Sequence, residues 1–208
     1  MKYQIIDCEQ GSDEWFAARL GKPTASVFDK VITKGKGHKS KSVDDLVNRC
    51  VAEMIVGEPD ETFTSEAMLR GKQLESEALS FINFTYGYDF KTVGFLDSGL
   101  GYGASPDGLD LTNSIGLELK CPMPHTHLAY LSSGTLPDKY YQQVQGAMLV
   151  TGFDKWVFVS YHPALPCLHV VVERDNEFIA KMEKILLGVC EDIKTTHQKV
   201  SALVQEAS

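Results

Sequence analysis

Hydrophobic residues follow a helical period in the amino-terminal half of the chain and a strand period after it. Before residue 90 they recur every three or four positions, most regularly from Val43 to Ile55, as is typical of amphipathic helices. From Thr92 they alternate with polar residues, which predicts strands. One helical stretch, 137–151, interrupts the strands, and a last helical stripe covers about 176–200. The predicted strands are 93–97, 100–104, 115–121, 155–161 and 168–173, and the first three are expected to form a meander.

This order of elements predicts a single α/β domain over residues 1–208. The domain would have a helical amino-terminal half, a sheet core at about 92–173 and a carboxy-terminal helix at about 176–200. We therefore expect a mixed central β-sheet flanked by helices. A chain of 208 residues, 43% of them hydrophobic, can bury one substantial core but is short for two.

Cysteine usage and the lack of long apolar runs favour a cytoplasmic protein. The five cysteines are spread along the chain without a C-x-x-C pair, as is typical of reduced thiols. No apolar run reaches membrane-spanning length, and the first ten residues lack the apolar core of a signal peptide. We expect no membrane partner.

The charge distribution changes what the net charge implies. A net charge of −8 by itself disfavours nucleic acid, because phosphate contacts need lysine and arginine. Residues 30–41, however, carry five lysines and no acid, with glycine and serine between them. This pattern is typical of a flexible basic loop that suits a polyanion, although an ordinary solvated loop has the same composition.

Two short motifs carry the clearest chemistry, S-P-D-G at 105–108 and G-L-E-L-K at 116–120. Strand alternation places Glu118 and Lys120 on one face, and a hairpin through 112–114 would bring Asp107 beside Glu118. Two carboxylates and a lysine can hold Mg²⁺ against a phosphodiester, where the metal activates water. An isolated E-x-K is usually an incidental surface pair, and the preceding Pro-Asp turn is what favours the metal site.

These motifs and several others resemble the PD-(D/E)xK nuclease superfamily. Within it, the chain is similar to the lambda exonuclease family, also called the YqaJ-type viral recombinases. The matching blocks occur in the family's order and span most of the chain. They are Q-G-S-D-E-W (10–15), R-L-G (19–21), T-A-S (24–26), G-K-Q-L-E (71–75), S-P-D-G-L (105–109), G-L-E-L-K-C-P (116–122) and Y-Y-Q-Q-V-Q (140–145).

The resemblance implies a restriction-endonuclease-like core and a Mg²⁺-dependent 5'-to-3' exonuclease, with Mn²⁺ as a substitute metal. Such an enzyme digests linear double-stranded DNA, releases 5'-mononucleotides and leaves 3' single-stranded DNA for phage-type recombination by strand annealing. The resemblance also implies a homotrimeric ring around DNA ends and a single-strand DNA annealing protein as partner. A phage or prophage gene would place the protein in the host cytoplasm.

The metal site that the resemblance implies consists of five residues. Asp107, Glu118 and the backbone carbonyl of Leu119 match the metal ligands, and Lys120 matches the catalytic lysine. Glu75 matches a carboxylate that completes the metal site through water, although a solvated helix residue is the plainer alternative.

The resemblance also implies DNA-binding positions. Arg19 and Ser26 match residues that hold a 5'-phosphate, a role that suits a guanidinium and a hydroxyl; the alternative is that they serve helix ends. In the basic loop, Lys34, Lys36 and Lys39 would contact DNA.

Three further positions complete the expectations. Gln145 would support the lysine or a site water, although a surface amide is equally consistent. Met68 falls at the family's apolar wedge against terminal bases, where Arg70 replaces a tryptophan. His125 and His127 lie in a proline-rich segment and lack a fourth partner for zinc, so we expect loop residues near the DNA path.

Two other functions stay open. One is an endonuclease of the same superfamily, which would cut closed circular DNA. The other is a catalytically weak DNA-binding partner of an annealing protein. The complete set of two acids and a lysine argues against a pure binder, because acids facing phosphate weaken binding.

Overall fold

The computed structural model describes residues 3–35, 37–59 and 66–206, without the side chains of 66–68. The α-helices in these ranges are α1 (Asp13–Arg19), α2 (Val43–Val56), α3 (Glu66–Tyr86), α4 (Pro124–Ser133), α5 (Tyr141–Thr151) and α6 (Asn176–Glu206). The strands are β1 (Gln4–Ile6), β2 (Phe95–Asp97), β3 (Gly103–Ala104), β4 (Gly108–Asp110), β5 (Ile115–Lys120), β6 (Lys155–Ser160) and β7 (Leu168–Glu173). Short 3-10 helices cover Ala25–Lys30 and Asp138–Tyr140.

The strands form two sheets with helices packed around them. The smaller sheet is antiparallel, in the order β1-β2-β3, and the larger is mixed, in the order β4-β5-β6-β7. In the larger sheet β5 and β6 run parallel, whereas the other described neighbours are antiparallel. A parallel pair needs a long crossover, which α4 and α5 supply. The predicted α/β class, with a mixed sheet flanked by helices, is confirmed.

The predicted meander of three consecutive strands over 93–121 is wrong. The second of these strands is only β3, which pairs with β2 in the smaller sheet, and β5 pairs instead with β4, which the sequence pattern does not predict. Gly99 and Gly101 have φ angles of 71° and 92°, which interrupt an extended strand. Pro106 has no N–H to continue a ladder. The chain therefore changes sheets between Ala104 and Gly108.

The central strands β5 and β6 are covered on both faces. On one face, Leu117 and Leu119 pack with side chains of β6 against α3. On the other face, Trp156 belongs to the core that includes α5. Strand alternation places Glu118 on this second face, between β5 and α5. The strand predicted to carry the chemistry is thus at the centre of the sheet.

Helix α4 replaces the loop that we expected around the two histidines. Pro124 suits its first turn, where an N–H would lack a partner, and Gly134 ends it with φ 63°. His127 is fully buried, with ring nitrogens 2.7 Å from Ser160 Oγ and 2.9 Å from Pro166 O. Both nitrogens are therefore engaged within the fold.

The other helices follow the predicted periods closely. Ser12 caps α1 by accepting a hydrogen bond from the Trp15 amide at 3.3 Å. Residues 60–65, before α3, lie outside the described residues. No helix within the described ranges is both long and apolar enough to cross a membrane.

The close approach of β5 and β6 depends on Gly116. A Cβ atom at this position would lie 2.2 Å from the Trp156 indole, which is itself fully buried. We expect Gly116→Ala to lower the free energy of unfolding by about 1–3 kcal/mol. Gly188→Ala is the matched control: Gly188 lies in α6 with open space around it, so alanine should raise that free energy by roughly 0.5–1 kcal/mol. Denaturant titration measures both, and wild-type stability in Gly116→Ala would contradict the packing.

Candidate functional site

A cleft of about 1210 Å³ opens beside the carboxyl end of β5. Its walls come from α1 and the segment after it, α2, α3, the end of β5, α4 and the 3-10 helix before α5. The predicted site residues that line it are Arg19, Ser26, Glu75, Leu119 and Lys120. The cleft therefore brings together residues from both halves of the sequence.

Asp107 is fixed to β5 by two hydrogen bonds. Its amide donates to Leu117 O at 3.1 Å, and its carboxylate Oδ2 accepts the Leu119 amide at 2.6 Å. The predicted hairpin is therefore present and holds Asp107 against this strand. Since the N–H and C=O of one strand residue point to the same side, the Leu119 carbonyl faces the Asp107 side as well. One carboxylate and one carbonyl oxygen thus converge at the end of β5.

Glu118 and Lys120 form an ion pair at the same place. Lys120 Nζ lies 2.5 Å from Glu118 Oε1, and Gln143 Nε2 of α5 donates to that oxygen at 2.7 Å. Glu118 is only 2% exposed, whereas the Lys120 side chain is 29% exposed and lines the cleft. The carboxylate is therefore buried behind the ammonium group.

The electrostatics of the site favour an added cation. Burial raises the pKa of Asp107, and it raises the pKa of Glu118 to about 7, with Lys120 opposing and Asp107 adding to the effect. Burial also raises the pKa of Glu75, and Asp107 adds to this shift. Burial opposes protonation of Lys120, but the charges of Glu118 and Asp107 outweigh it and raise the pKa of Lys120. Several carboxylates share one ammonium group.

The donor set fits a hard divalent metal. Carboxylate and carbonyl oxygens are the ligands that Mg²⁺ and Mn²⁺ prefer. Within the described residues, no three histidine, cysteine, aspartate or glutamate side chains are close enough to enclose a metal by themselves. A metal here would therefore use Asp107, Glu118, the Leu119 carbonyl and solvent. Glu75, exposed on α3, could reach it through water.

Arg19 is the centre of a second polar cluster in the cleft. Its Nη1 donates to Ser105 Oγ at 2.7 Å and its Nη2 to Thr24 Oγ1 at 3.3 Å, and Thr24 Oγ1 lies 3.1 Å from Ser26 Oγ. The guanidinium stacks 3.9 Å from the centroid of the Trp15 ring. Burial lowers the pKa of Arg19 to about 10, so the group stays charged at neutral pH. The cluster is a cation surrounded by hydroxyl groups.

The structure places Gln145 away from the cleft. Its Nε2 donates to Glu173 O at 3.0 Å and its Oε1 accepts the Asp175 amide at 2.9 Å, so it joins α5 to the end of β7. The amide that reaches the site is Gln143. Residues two apart on a helix point about 200° apart, so both cannot face Glu118. The geometry does not support the role that we expected for Gln145.

The described residues of the basic loop do not line the cleft. Lys34 forms an ion pair with Asp138, and Lys39 lies 3.8 Å from Asp192 of α6. Lys36 lies outside the described residues, as does the side chain of Met68. The cations of the cleft that sequence reasoning missed are Lys22, Arg49, Lys72 and Lys139. They come from different elements, so no local pattern marks them.

The comparisons with known proteins agree with the resemblance. The family model of the YqaJ-like viral recombinase domain matches residues 14–154. The alkaline exonuclease LHK-Exo from Laribacter hongkongensis is 30% identical, with a TM-score of 0.83, over 95% of this chain and 100% of its own; its structure in complex with dAMP gives the same values. A phage-related exonuclease from Haemophilus somnus 129PT shares the fold, with 16% identity and a TM-score of 0.64 over 88% of this chain and 96% of its own. No curated protein matches the chain.

The family model covers more than half of the chain, and LHK-Exo, at 30% identity, is matched along its full length. The chain belongs to the YqaJ-like viral recombinase family.

Proposed function

We propose that the protein is a metal-dependent exonuclease that digests linear double-stranded DNA from its 5' ends. It would release 5'-mononucleotides and leave 3' single strands. The observation that carries the proposal is the meeting of Asp107, Glu118 and Lys120 at the end of β5, beside the cleft that Lys120 and the Arg19 cluster line. The first group suits phosphodiester hydrolysis, and the second suits a terminal phosphate. The alkaline exonuclease activity named for the relative LHK-Exo supports the same reaction class.

We assign the metal to the oxygen donors at the end of β5. Asp107, Glu118 and the Leu119 carbonyl would hold Mg²⁺, with Glu75 contributing through water, and Mn²⁺ would fit the same donors. When bound, the metal would activate water and offset the charge of the phosphoryl group.

The side chains around this position have separate roles. Lys120 is protonated in this arrangement, so its ammonium group would donate hydrogen bonds to the attacked phosphate and stabilise its developing charge. Glu118 holds the ammonium in place, and the Gln143 amide fixes the orientation of the Glu118 carboxylate. Gln143 would thus act as a positioning residue.

The Arg19 cluster would define the polarity of digestion. A guanidinium has five N–H donors, and two hydrogen bonds to Ser105 and Thr24 leave donors for an anion. Together with the Ser26 hydroxyl it would bind a 5'-terminal phosphate in the manner of charge-assisted pairs. A phosphate held there would place the first internucleotide bond near Lys120.

Two assemblies are proposed from family membership. The first is a homotrimeric ring that encloses the DNA, and the second is a complex with a single-strand DNA annealing protein. The net charge of −8 suits an exterior that repels DNA while the cations of the cleft attract it.

The metal site can be tested by removing its charged groups. Lys120→Ala and Asp107→Asn should each reduce Mg²⁺-dependent nucleotide release at least about 100-fold, because they remove transition-state stabilisation and a metal ligand. Acid-soluble nucleotide release from linear duplex measures this. Lys155→Ala, at the opposite end of β6 from the cleft, is the control and should keep full activity. Full activity in both site variants would overturn the proposal.

End recognition can be tested with three DNA substrates. Linear duplex with 5'-phosphate should be digested faster than duplex with 5'-hydroxyl, and closed circles should be inert. Arg19→Gln should slow digestion of phosphorylated ends roughly 10-fold, because this factor corresponds to the free energy of one charge-assisted hydrogen bond. It should have little effect on digestion of hydroxyl ends. Cutting of closed circles would favour an endonuclease, and equal loss on both ends would contradict the phosphate pocket.

The two glutamines of α5 provide a matched pair. Gln143→Ala should lower kcat roughly 10-fold and cost less stability than Gln145→Ala, because Glu118 Oε1 keeps its pair with Lys120. Gln145→Ala should keep kcat but lower the free energy of unfolding by about 1–3 kcal/mol, because the buried Gln145 side chain makes two hydrogen bonds that join α5 to the end of β7. Steady-state kinetics and thermal melts separate the two effects. The reverse assignment of effects would restore the role first expected for Gln145.

A further inference from the structure

Lys139 is a cation of the cleft that forms no ion pair with a carboxylate in the described part of the chain. Its neighbour Lys120 is paired with Glu118, whereas within residues 3–35, 37–59 and 66–206 the groups that interact with the Lys139 charge are the phenols of Tyr130 and Tyr140. Its Nζ lies 5.5 Å from the Tyr130 ring centroid and 4.9 Å from that of Tyr140. Burial lowers the pKa of Lys139, but the two phenols outweigh this and raise it. The ammonium group is therefore charged at neutral pH.

The Tyr130 hydroxyl is a polar group with no hydrogen-bond partner in the described part of the chain. Tyr130 lines the cleft but is only 9% exposed, and its hydroxyl forms no hydrogen bond there. Leaving such a group unpaired is unfavourable. A ligand that reaches the hydroxyl beside the Lys139 side chain would satisfy it. The exposed Lys139 side chain can move to admit that ligand, since it is held by rings rather than by an ion pair.

The chemistry of this cluster matches a phosphate. An ammonium group and two phenols offer several donors to one anion, and phosphate has the acceptor oxygens to use them. Under the proposed function, the phosphates that enter this cleft belong to DNA. The ligand class is therefore a phosphodiester of the nucleic-acid backbone.

The position of the cluster indicates which phosphate it takes. The Tyr140 ring centroid lies 5.6 Å from Lys120 Nζ, so the same ring adjoins both ammonium groups. Successive phosphates of one strand advance about 3.4 Å along the duplex axis. The Arg19 cluster is assigned to the phosphate on the 5' side of the cut. The cluster of Lys139, Tyr130 and Tyr140 is therefore assigned to the phosphate on the 3' side of the cut.

We infer that Lys139, with the hydroxyls of Tyr130 and Tyr140, binds the phosphodiester immediately 3' to the scissile bond on the digested strand. This inference rests on the proposed function and adds a subsite to it. The contact holds the strand that remains after each cut. When the strand advances by one nucleotide, this phosphate becomes the scissile one.

The test combines a protein change with a DNA change at the same contact. One substrate carries a neutral methylphosphonate at the linkage 3' to the first cut, and a control substrate carries it ten linkages further. Binding is measured by fluorescence anisotropy without metal, so that the DNA stays intact. Lys139→Gln should weaken binding of unmodified duplex roughly 10-fold, and the methylphosphonate should weaken wild-type binding by a similar factor. Lys139→Gln should bind the methylphosphonate substrate no more weakly than either change alone predicts, because both changes remove the same contact.

Two controls sharpen the test. Lys155→Gln removes an exposed lysine at the far end of β6 and should bind both substrates like wild type. Tyr130→Phe should weaken DNA binding without lowering the melting temperature, because it removes a hydroxyl that is unpaired in the free protein. A melting temperature that falls while binding is unchanged would show a structural hydroxyl and overturn its role as a ligand.

The possible failures can be distinguished. If wild-type protein releases no nucleotide from any DNA end, the proposed function is wrong and this inference falls with it. Suppose that wild type digests DNA but the losses of binding affinity from Lys139→Gln and from the methylphosphonate multiply. Lys139 and that phosphate are then not in contact, and this inference alone is wrong. This inference alone is also wrong if Lys139→Gln binds DNA as tightly as Lys155→Gln does.

Discussion

The hydrogen bond from the Leu119 amide to the Asp107 carboxylate sets the geometry of the site. The backbone ladder between β4 and β5 stops at Pro106, which has no N–H, and the side chain of Asp107 takes over the next amide of β5. This carboxylate is therefore part of the sheet at the point where β5 reaches the cleft. Its position is as fixed as that of the strand, and the Leu119 carbonyl beside it is left facing the cleft. A shift of register by one residue would remove both the hydrogen bond to the Asp107 carboxylate and the position of the Leu119 carbonyl.

The second constraint is the burial of Glu118. A buried carboxylate is costly unless it is paired and hydrogen-bonded, and here Lys120 and Gln143 provide the pair and the hydrogen bond. Even so, the pKa of Glu118 is raised to about 7, so its compensation is incomplete. A hydrophobic residue would be a more stable choice at this position. An acid kept there at a cost in stability fits a group that receives a further cation during function.

The parts of the site that the sequence predicted are those that depend on local geometry. Strand alternation alone puts Glu118 and Lys120 on one face, and a short turn alone can return Asp107 to them. The choice between Gln143 and Gln145 depends instead on which face of α5 meets β5, and helical period leaves that rotation open. The grouping of strands into two sheets likewise depends on long-range pairing. Lys139 lies in the 3-10 helix before α5, and its place in the cleft depends on how that helix packs in the fold.

The S-P-D-G turn connects the two halves of the proposed reaction. Ser105 Oγ accepts hydrogen bonds from both Arg19 and the Trp15 indole, and two residues later Asp107 is bonded to β5. Gln10 holds the turn between them through Pro106 O at 2.9 Å. The distance from the proposed phosphate pocket to the proposed metal is therefore set by three consecutive residues with fixed partners. A rigid spacing of this kind favours removal of one nucleotide at a time, because a longer product would require the turn to lengthen.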